Sequence, residues 1–280
     1  MTEPPRTTGD SLDDVNAAGA AVERVMAAMV SAAIELDGDL VEIAPDLSRA
    51  SLGIPIPSVN LVFGAHLGGL DDAAFERRID NAIAWFDERG LPFVWWVLPS
   101  SEPSDLRDRL AARGFAVLPG AMPAMAVDLD GPPRPDVPTD VVIERVQDAA
   151  TFRTYCDTLA AGFDAPAEFA DAWFRLVDLG FGDDLPLRMF LARTVPDGRP
   201  VGSGMAVLAG DTVGLYSIGT LADARGRGIG RAMTLTGMLA GWDAGCRTAL
   251  LEATDAGYPL YISLGFRTIT MIELFVHQPG

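Results

Sequence analysis

The chain has 280 residues and a mass of 29.7 kDa, which allows one large domain or two of medium size. Acidic residues outnumber basic ones by 39 to 21, and the net charge of −18 argues against nucleic acid or an anionic membrane as a partner. The sequence shows neither an apolar run of membrane-spanning length nor a basic-then-apolar leader, so we expect a cytoplasmic protein.

The sequence contains two cysteines, Cys156 and Cys246, and two histidines, His66 and His277. They are too few and too widely separated for a disulfide framework or a histidine-based metal site. We therefore expect buried free thiols and no bound metal.

The first part of the chain has the pattern of alternating helices and strands. Residues 1–10 have the composition of a disordered leader, and apolar residues at helical spacing predict an amphipathic helix over residues 11–33. Further along, the pattern predicts strands at 40–43, 59–63, 93–98, 115–118 and 124–129, and helices at 71–89 and 104–113.

A proline-rich segment divides the sequence. Four prolines stand between Asp130 and Pro138, and proline removes backbone donors and favours an extended chain. We place a linker at 131–139, which separates an N-terminal domain at 11–130 from a C-terminal domain at 140–280.

After the linker the elements follow in a clear order. The pattern predicts strands at 141–146, 187–193, 200–209, 212–220, 248–253 and 267–276, and helices at 149–161, 166–179, 229–242 and 259–264.

The junction between the strand at 212–220 and the following helix reads Arg225-Gly226-Arg227-Gly228-Ile229-Gly230, followed by Arg231. Glycines there let the backbone approach a ligand, and the first N–H groups of a helix have no partner within it. Such a loop in an otherwise acidic chain predicts a site for a pyrophosphate.

Spacing separates the families that build such a loop. A P-loop requires a lysine, and the sequence contains none. A dinucleotide fingerprint requires a third glycine where Arg231 stands. The pattern that remains, Arg-x-x-Gly-x-Gly, is met by Arg225, Gly228 and Gly230. Here the chain resembles the GNAT acetyltransferase superfamily, whose loop of this pattern holds the pyrophosphate of acetyl-CoA.

A second motif carries the same resemblance. The segment Leu260-Tyr261-Ile262-Ser263-Leu264-Gly265-Phe266 is similar to the closing helix and strand of that family, and it follows the first motif in the family's order. The resemblance covers residues 140–277 and implies an α/β fold with a mixed, mostly antiparallel sheet flanked by helices. It implies that acetyl-CoA is bound by a set of residues on the preceding strand, the loop and the start of the following helix, and by one residue after the strand at 248–253: Ile218, Gly219, Thr220, Arg225, Gly226, Arg227, Gly228, Ile229, Gly230, Arg231 and Thr254.

The resemblance also implies a catalytic residue. Tyr261 stands where family members place the tyrosine that protonates the departing thiolate, and a backbone N–H near Ile218 or Gly219 would face the developing oxyanion. Thr254 replaces an asparagine that is common in the family. The general base stays open among four carboxylates: Glu168, Asp183, Asp184 and Glu252.

The N-terminal half contains an echo of the closing motif. Leu110-Ala111-Ala112-Arg113-Gly114-Phe115 has the same shape, with Leu110 in the place of Tyr261. We interpret residues 11–130 as a degenerate GNAT-like domain without the arginine-rich loop, although helix-Gly-Phe is also a common helix end. The sequence is thus interpreted as a tandem GNAT protein.

The function expected from the sequence is transfer of an acetyl group from acetyl-CoA to a primary amine of a small molecule or protein, by direct attack. An acyl-CoA-binding sensor without turnover is the alternative. A nucleotide-dependent oxidoreductase would instead be stabilised by NAD. The sequence leaves open the acceptor and the oligomeric state.

Overall fold

The structure, a computed structural model, describes residues 12, 14–34 and 40–279. Seven α-helices are found in these residues: α1 Val15–Ile34, α2 Asp72–Asp87, α3 Leu106–Ala112, α4 Ala149–Gly162, α5 Ala167–Phe174, α6 Ile229–Asp243 and α7 Tyr258–Ser263. The same residues form twelve strands: β1 Val41–Glu42, β2 Ser48–Ser51, β3 Asn60–Phe63, β4 Phe93–Val97, β5 Ala116–Val117, β6 Met122–Asp128, β7 Val141–Arg145, β8 Leu187–Thr194, β9 Pro200–Ala209, β10 Thr212–Thr220, β11 Thr248–Glu252 and β12 Arg267–His277.

The strands join in one sheet. Its order is β1-β2-β3-β4-β12-β6-β11-β10-β9-β8-β7, with β5 also paired to β12. Among the described strands, only β3 with β4 and β10 with β11 run parallel, and the other pairs are antiparallel. The predicted α/β class with a mixed, mostly antiparallel sheet is therefore confirmed.

The two halves of the chain exchange strands in this sheet. β6, which precedes the proline-rich segment, lies between β11 and β12 of the C-terminal half. In return β12 pairs with β6 through its first part and with β4 through Glu273–His277. The predicted domain boundary at 131–139 lies between β6 and β7 in the sequence and stays a prediction, since the sheet itself is continuous.

Three elements differ from the sequence expectation. β2 was not predicted, because its sequence Ser-Arg-Ala-Ser lacks an apolar alternation. Helix α1 begins at Val15, since Asp14 accepts the N–H groups of Asn16 and Ala17 and so caps it. The expected start at residue 11 lies outside the described residues. The helix expected at 166–179 ends at Phe174 and continues as a 3₁₀ turn, a common ending of α-helices.

The side chains of β10 alternate between two layers of helices. Val213 and Leu215 pack on α6, where Gly241 and Gly237 make room for them. Gly214 and Tyr216 face the opposite layer, which contains α4 and also α1 of the N-terminal half. Every helix in the described part of the chain is too short or too polar to cross a bilayer.

Candidate active site

The parallel strands β10 and β11 part near the middle of β10. Their pairing covers Thr212–Gly214 against Thr248–Leu250 and ends there. A β-bulge between Tyr216 and Gly219 then turns β10, and Ser217 within it has a left-handed backbone with φ +56°. Bulge and divergence leave an opening between the ends of the two strands, which is where the resemblance places the acyl-CoA arm.

The glycine-rich loop follows β10 and presents unpaired backbone donors. Gly226 and Gly228 have φ values of +76° and +83°, which favour glycine. Gly228 is the N-cap of α6 and provides no side-chain cap, and the first turn contains no acidic residue. The bond from Ala232 N–H to the Gly228 carbonyl, at 3.0 Å, is the first in the helix. The earlier N–H groups of Ile229, Gly230 and Arg231 are therefore free to bind an anion.

The three arginines of this loop fasten it to its surroundings. Arg225 donates to the carbonyls of Thr220 at 3.1 Å and Gly162 at 3.3 Å. Arg227 pairs with Asp140, next to the proline-rich segment, and Arg231 lies 3.4 Å from the Ser263 hydroxyl. A guanidinium has five N–H donors, so these bonds leave donors for a phosphate.

The start of α6 lies close to the end of β10 and to α7. A side chain at Gly230 would begin 3.7 Å from Thr220 Oγ1 and 3.6 Å from Leu260 Cδ2, so the loop, the end of β10 and α7 meet here. Ile218 instead turns toward Met233 of α6, since both side chains fill the space beside Gly204. Its side chain is therefore packed against α6 and the core of the C-terminal half.

The end of helix α4 also borders the opening, which the sequence analysis missed. Gly162 lies against the backbone of Gly219, and the Phe163 ring lies 3.1 Å from where a Cβ of Gly219 would be. Phe163 is nonetheless 48% exposed. A glycine followed by an aromatic residue at a helix end was the available signal, but nothing in the sequence connects it with Gly219.

Tyr261 lies in α7, next to Leu260, which meets the start of α6. Its ring packs on Phe266 with centroids 5.9 Å apart and covers Gly257, where a Cβ would come within 2.8 Å of Tyr261 Cε2. Burial raises the pKa of the phenol to about 12, so the hydroxyl stays protonated at neutral pH. Within the described residues this hydroxyl has no hydrogen-bond partner, which leaves it free to donate.

Thr254 has a local structural contact. Its Oγ1 accepts the N–H of Gly257 at 3.2 Å, and its carbonyl accepts the N–H of Tyr258 at 2.9 Å. The hydroxyl thus caps the turn before α7 and keeps its own proton available as a donor. Thr254 and Tyr261 lie on either side of Gly257.

Among the four carboxylates considered as general base, the structure distinguishes Glu252. It ends β11 at the opening, and the Tyr216 hydroxyl of β10 lies 3.3 Å from its Oε1. Burial raises the pKa of Glu252 to about 7, and burial also raises that of Tyr216. Glu252 therefore exchanges a proton near neutral pH, as a general base requires.

The other three carboxylates have ordinary surface positions. A hydrogen bond from Arg145 lowers the pKa of Asp183, and this pair is 2.6 Å apart. Asp184 is exposed in the same loop, and Glu168 is exposed in the first turn of α5. None of them is coupled to the opening by a contact that the structure shows.

The other parallel pair, β3 with β4 in the N-terminal half, has no such opening, because the segments that follow the two strands stay bonded to each other. After the strands end, Glu102 N–H binds the Ala65 carbonyl at 2.8 Å and Leu67 N–H binds the Glu102 carbonyl at 3.1 Å. The Glu102 carboxylate also lies over Gly68. Helix α2 follows with Asp71 as N-cap and Asp72 in its first turn, so carboxylates occupy the place of a phosphate.

The cysteines are as predicted. Cys156 and Cys246 are buried and unbonded to each other, and burial raises the pKa of both thiols. No group of potential metal ligands was found among the residues that the structure describes.

Comparison with known proteins agrees with this geometry. Residues 153–266 match the family model described as "Acetyltransferase (GNAT) family". The chain therefore contains a GNAT domain, and the resemblance inferred from the two motifs is confirmed there. This family transfers acyl groups, which is the class of activity that the domain indicates. A search of curated proteins finds no match.

Solved structures share the fold over most of the chain. A GCN5-related N-acetyltransferase from Kribbella flavida aligns with a TM-score of 0.64 and 19% identity, covering 91% of this chain and 96% of its own. One from Sphaerobacter thermophilus aligns at 0.62 and 18%, covering 95% and 94%. A tandem GNAT protein from the clavulanic acid biosynthesis pathway aligns at 0.57 and 13%, covering 79% and 75%. At these identities the likeness concerns the fold alone.

Proposed function

We propose that the protein is an N-acetyltransferase that transfers the acetyl group of acetyl-CoA to a primary amine in a ternary complex. The observation that carries this proposal is the parting of β10 and β11, with Glu252 at the end of β11 and the uncapped start of α6 following β10. A helix start of this kind binds pyrophosphate, and a carboxylate with a pKa of about 7 can deprotonate an ammonium group.

The residues have separate roles in this scheme. The N–H groups of residues 228–231 and the guanidinium groups of Arg225 and Arg227 hold the pyrophosphate. The backbone at Ile218–Gly219 and the Thr254 hydroxyl lie along the opening and contact the cofactor arm. Acetyl-CoA thus serves as a co-substrate, and the reaction needs no metal.

The chemistry follows from two protonation states. Glu252 accepts the proton of the attacking ammonium, directly or through water, which frees the nitrogen lone pair to bond to the acyl carbon. The carbon–sulfur bond breaks, and the electron pair leaves on sulfur. Tyr261, which is protonated at neutral pH, donates its proton to that thiolate, and the second proton, which the nitrogen loses as the amide forms, restores the phenol through solvent. No covalent acyl-enzyme is needed, since an amine attacks a thioester directly.

The acceptor class follows from charge. A chain with net charge −18 and a carboxylate in the opening attracts a cationic amine. The proposed partners are therefore amines of small molecules or proteins, not nucleic acids or membranes, and the proposed location is the cytoplasm.

Calorimetry with acetyl-CoA, followed by thiol release over a panel of amines, tests the proposal. We expect binding of acetyl-CoA, no binding of NAD, and thiol release with at least one amine. Binding without release on any amine would favour the acyl-CoA sensor. Absence of binding, with Arg225→Ala and Arg227→Ala behaving as wild type, would remove the proposed function.

A further inference from the structure

Helix α1 belongs to the N-terminal half but packs on strands of the C-terminal half. Val25 is buried in one apolar cluster with Met205 and Val207 of β9. Val22 and Met26 share another with Leu250 of β11. Because Leu250 and Glu252 lie two positions apart on β11, they face the same side of the sheet. Helix α1 therefore covers the face on which the Glu252 carboxylate lies.

Val25 meets Tyr216 above Gly214. A Cβ at position 214 would lie 2.2 Å from Val25 Cγ1 and 2.7 Å from Tyr216 Cε2. The two side chains thus share the space that the missing side chain would occupy, and close packing there restricts the ring. From this position the Tyr216 hydroxyl reaches Glu252 Oε1 at 3.3 Å.

We propose that α1 is a positioning element of the active site: Val25 holds the Tyr216 ring against Gly214, and the ring holds the carboxylate of Glu252. This inference rests on the function proposed above. Val25 contacts no reacting atom, so it is a positioning residue. The N-terminal half then takes part in catalysis although its own strand opening is closed.

Among the described residues, Tyr216 is the side chain that bonds to Glu252. Strands β9 and β10 carry no charged side chain, and the one on β6, Asp128, pairs at the far end of β11. On α1, Glu23 is bound to His66 at 2.7 Å and Arg24 is exposed. On β12, Glu273 pairs with Arg107.

The test uses the full-length protein and the variant Gly214→Ala. The added methyl displaces the Tyr216 ring and breaks its bond to Glu252. That bond lowers the pKa of Glu252, so its loss raises the pKa. We expect the titration midpoint of the Glu252 carboxyl, followed by ¹³C NMR and assigned with Glu252→Gln, to rise by about one pH unit. The apparent pKa of the acid limb of the pH profile of kcat/KM should rise by the same amount. The same rise is expected in Tyr216→Phe.

A second substitution tests Val25 directly. Val25→Ala keeps Gly214 and frees the Tyr216 ring on the side of α1, so the midpoint should again rise. The matched control is Gly241→Ala, whose methyl would lie 2.4 Å from Val213 Cγ1 on the opposite face of β10. It should lower stability and leave the midpoint unchanged.

The outcomes separate this inference from the proposed function. An unchanged midpoint in Gly214→Ala or in Val25→Ala overturns the positioning role. A midpoint that moves while the acid limb does not supports positioning and removes Glu252 as the base. Should Gly214→Ala not fold, Val25→Ala carries the test: the released ring should raise the midpoint, and an unchanged midpoint overturns the role.

Discussion

The two parallel strand pairs of this sheet begin alike and end differently. β10 and β11 part after Gly214 and Leu250, and the helix that follows starts at an uncapped glycine. β3 and β4 stay connected beyond their ends through backbone bonds of Glu102, and the helix that follows starts at two aspartates. The comparison teaches that the fold supplies a possible site twice. Local residues decide which one can receive an anion.

The largest expected difference between the two regions is catalytic. Glu252 ends the second strand of one parallel pair, and Glu102 follows the second strand of the other. If Glu252 is the general base, Glu252→Gln should lower kcat roughly 10²–10⁴-fold in a thiol-release assay, because the amine then lacks a proton acceptor. Glu102→Gln should leave kcat unchanged. Equal losses in the two variants would contradict the comparison.

The second effect is on stability. Glu252 has a pKa of about 7 in the folded protein against an ordinary 4.5, so the unfolded chain releases this proton first as pH rises. As the pH rises from about 4.5 to about 7, the contribution of Glu252 to the free energy of unfolding should therefore decrease, by at most roughly 3 kcal/mol in total. Above about pH 7 this contribution should stay constant. Urea unfolding at several pH values should show Glu252→Gln more stable than wild type at pH 8 and equal to it at pH 4. A constant difference would contradict this.

A smaller effect is expected at Tyr261, whose place in the N-terminal half is taken by Leu110. Tyr261→Phe keeps the ring that packs on Phe266 and removes the donor for the thiolate. Turnover should fall about tenfold, with little change in acetyl-CoA affinity. Tyr258→Phe, which removes an exposed hydroxyl from the same helix, is the control and should keep full turnover.

The smallest effect is expected in the glycine-rich loop. Gly228→Ala puts a side chain on a residue with φ +83°, at a cost of about 1 kcal/mol, and reshapes the N–H groups that face the pyrophosphate. The Kd for acetyl-CoA should rise about fivefold by calorimetry. Gly210→Ala introduces similar strain at φ +66° in the turn between β9 and β10. It should lower stability without changing the Kd.

The sequence predicted much of the C-terminal half because its signals are local. The glycine-rich loop and the closing motif can each be recognised from a run of seven residues. Apolar alternation predicts the bounds of β8 to β12 to within one residue of those observed. The same local signals placed Gly228 at the start of α6 and Tyr261 within α7, and these two helices meet beside Gly230.

What the sequence left open depends on contacts between distant segments. Alternation could not decide which face Glu252 would take, since that depends on Tyr216, 36 positions earlier, and on α1 beyond it. The local sequence around Gly162 and Phe163 does not predict their contact with Gly219. The exchange of β6 and β12 likewise has no local pattern, because either strand would suit either neighbour.

That exchange has a consequence for the order of assembly during synthesis. β12 is the last of the described strands, and it is the neighbour of β4 on the side away from β3. Residues 267–277 leave the ribosome after the other described strands, so the sheet of the half that is made first closes only after β12 has been made. A nascent chain that stops short of β12 therefore exposes an edge of β4, which invites pairing with another chain.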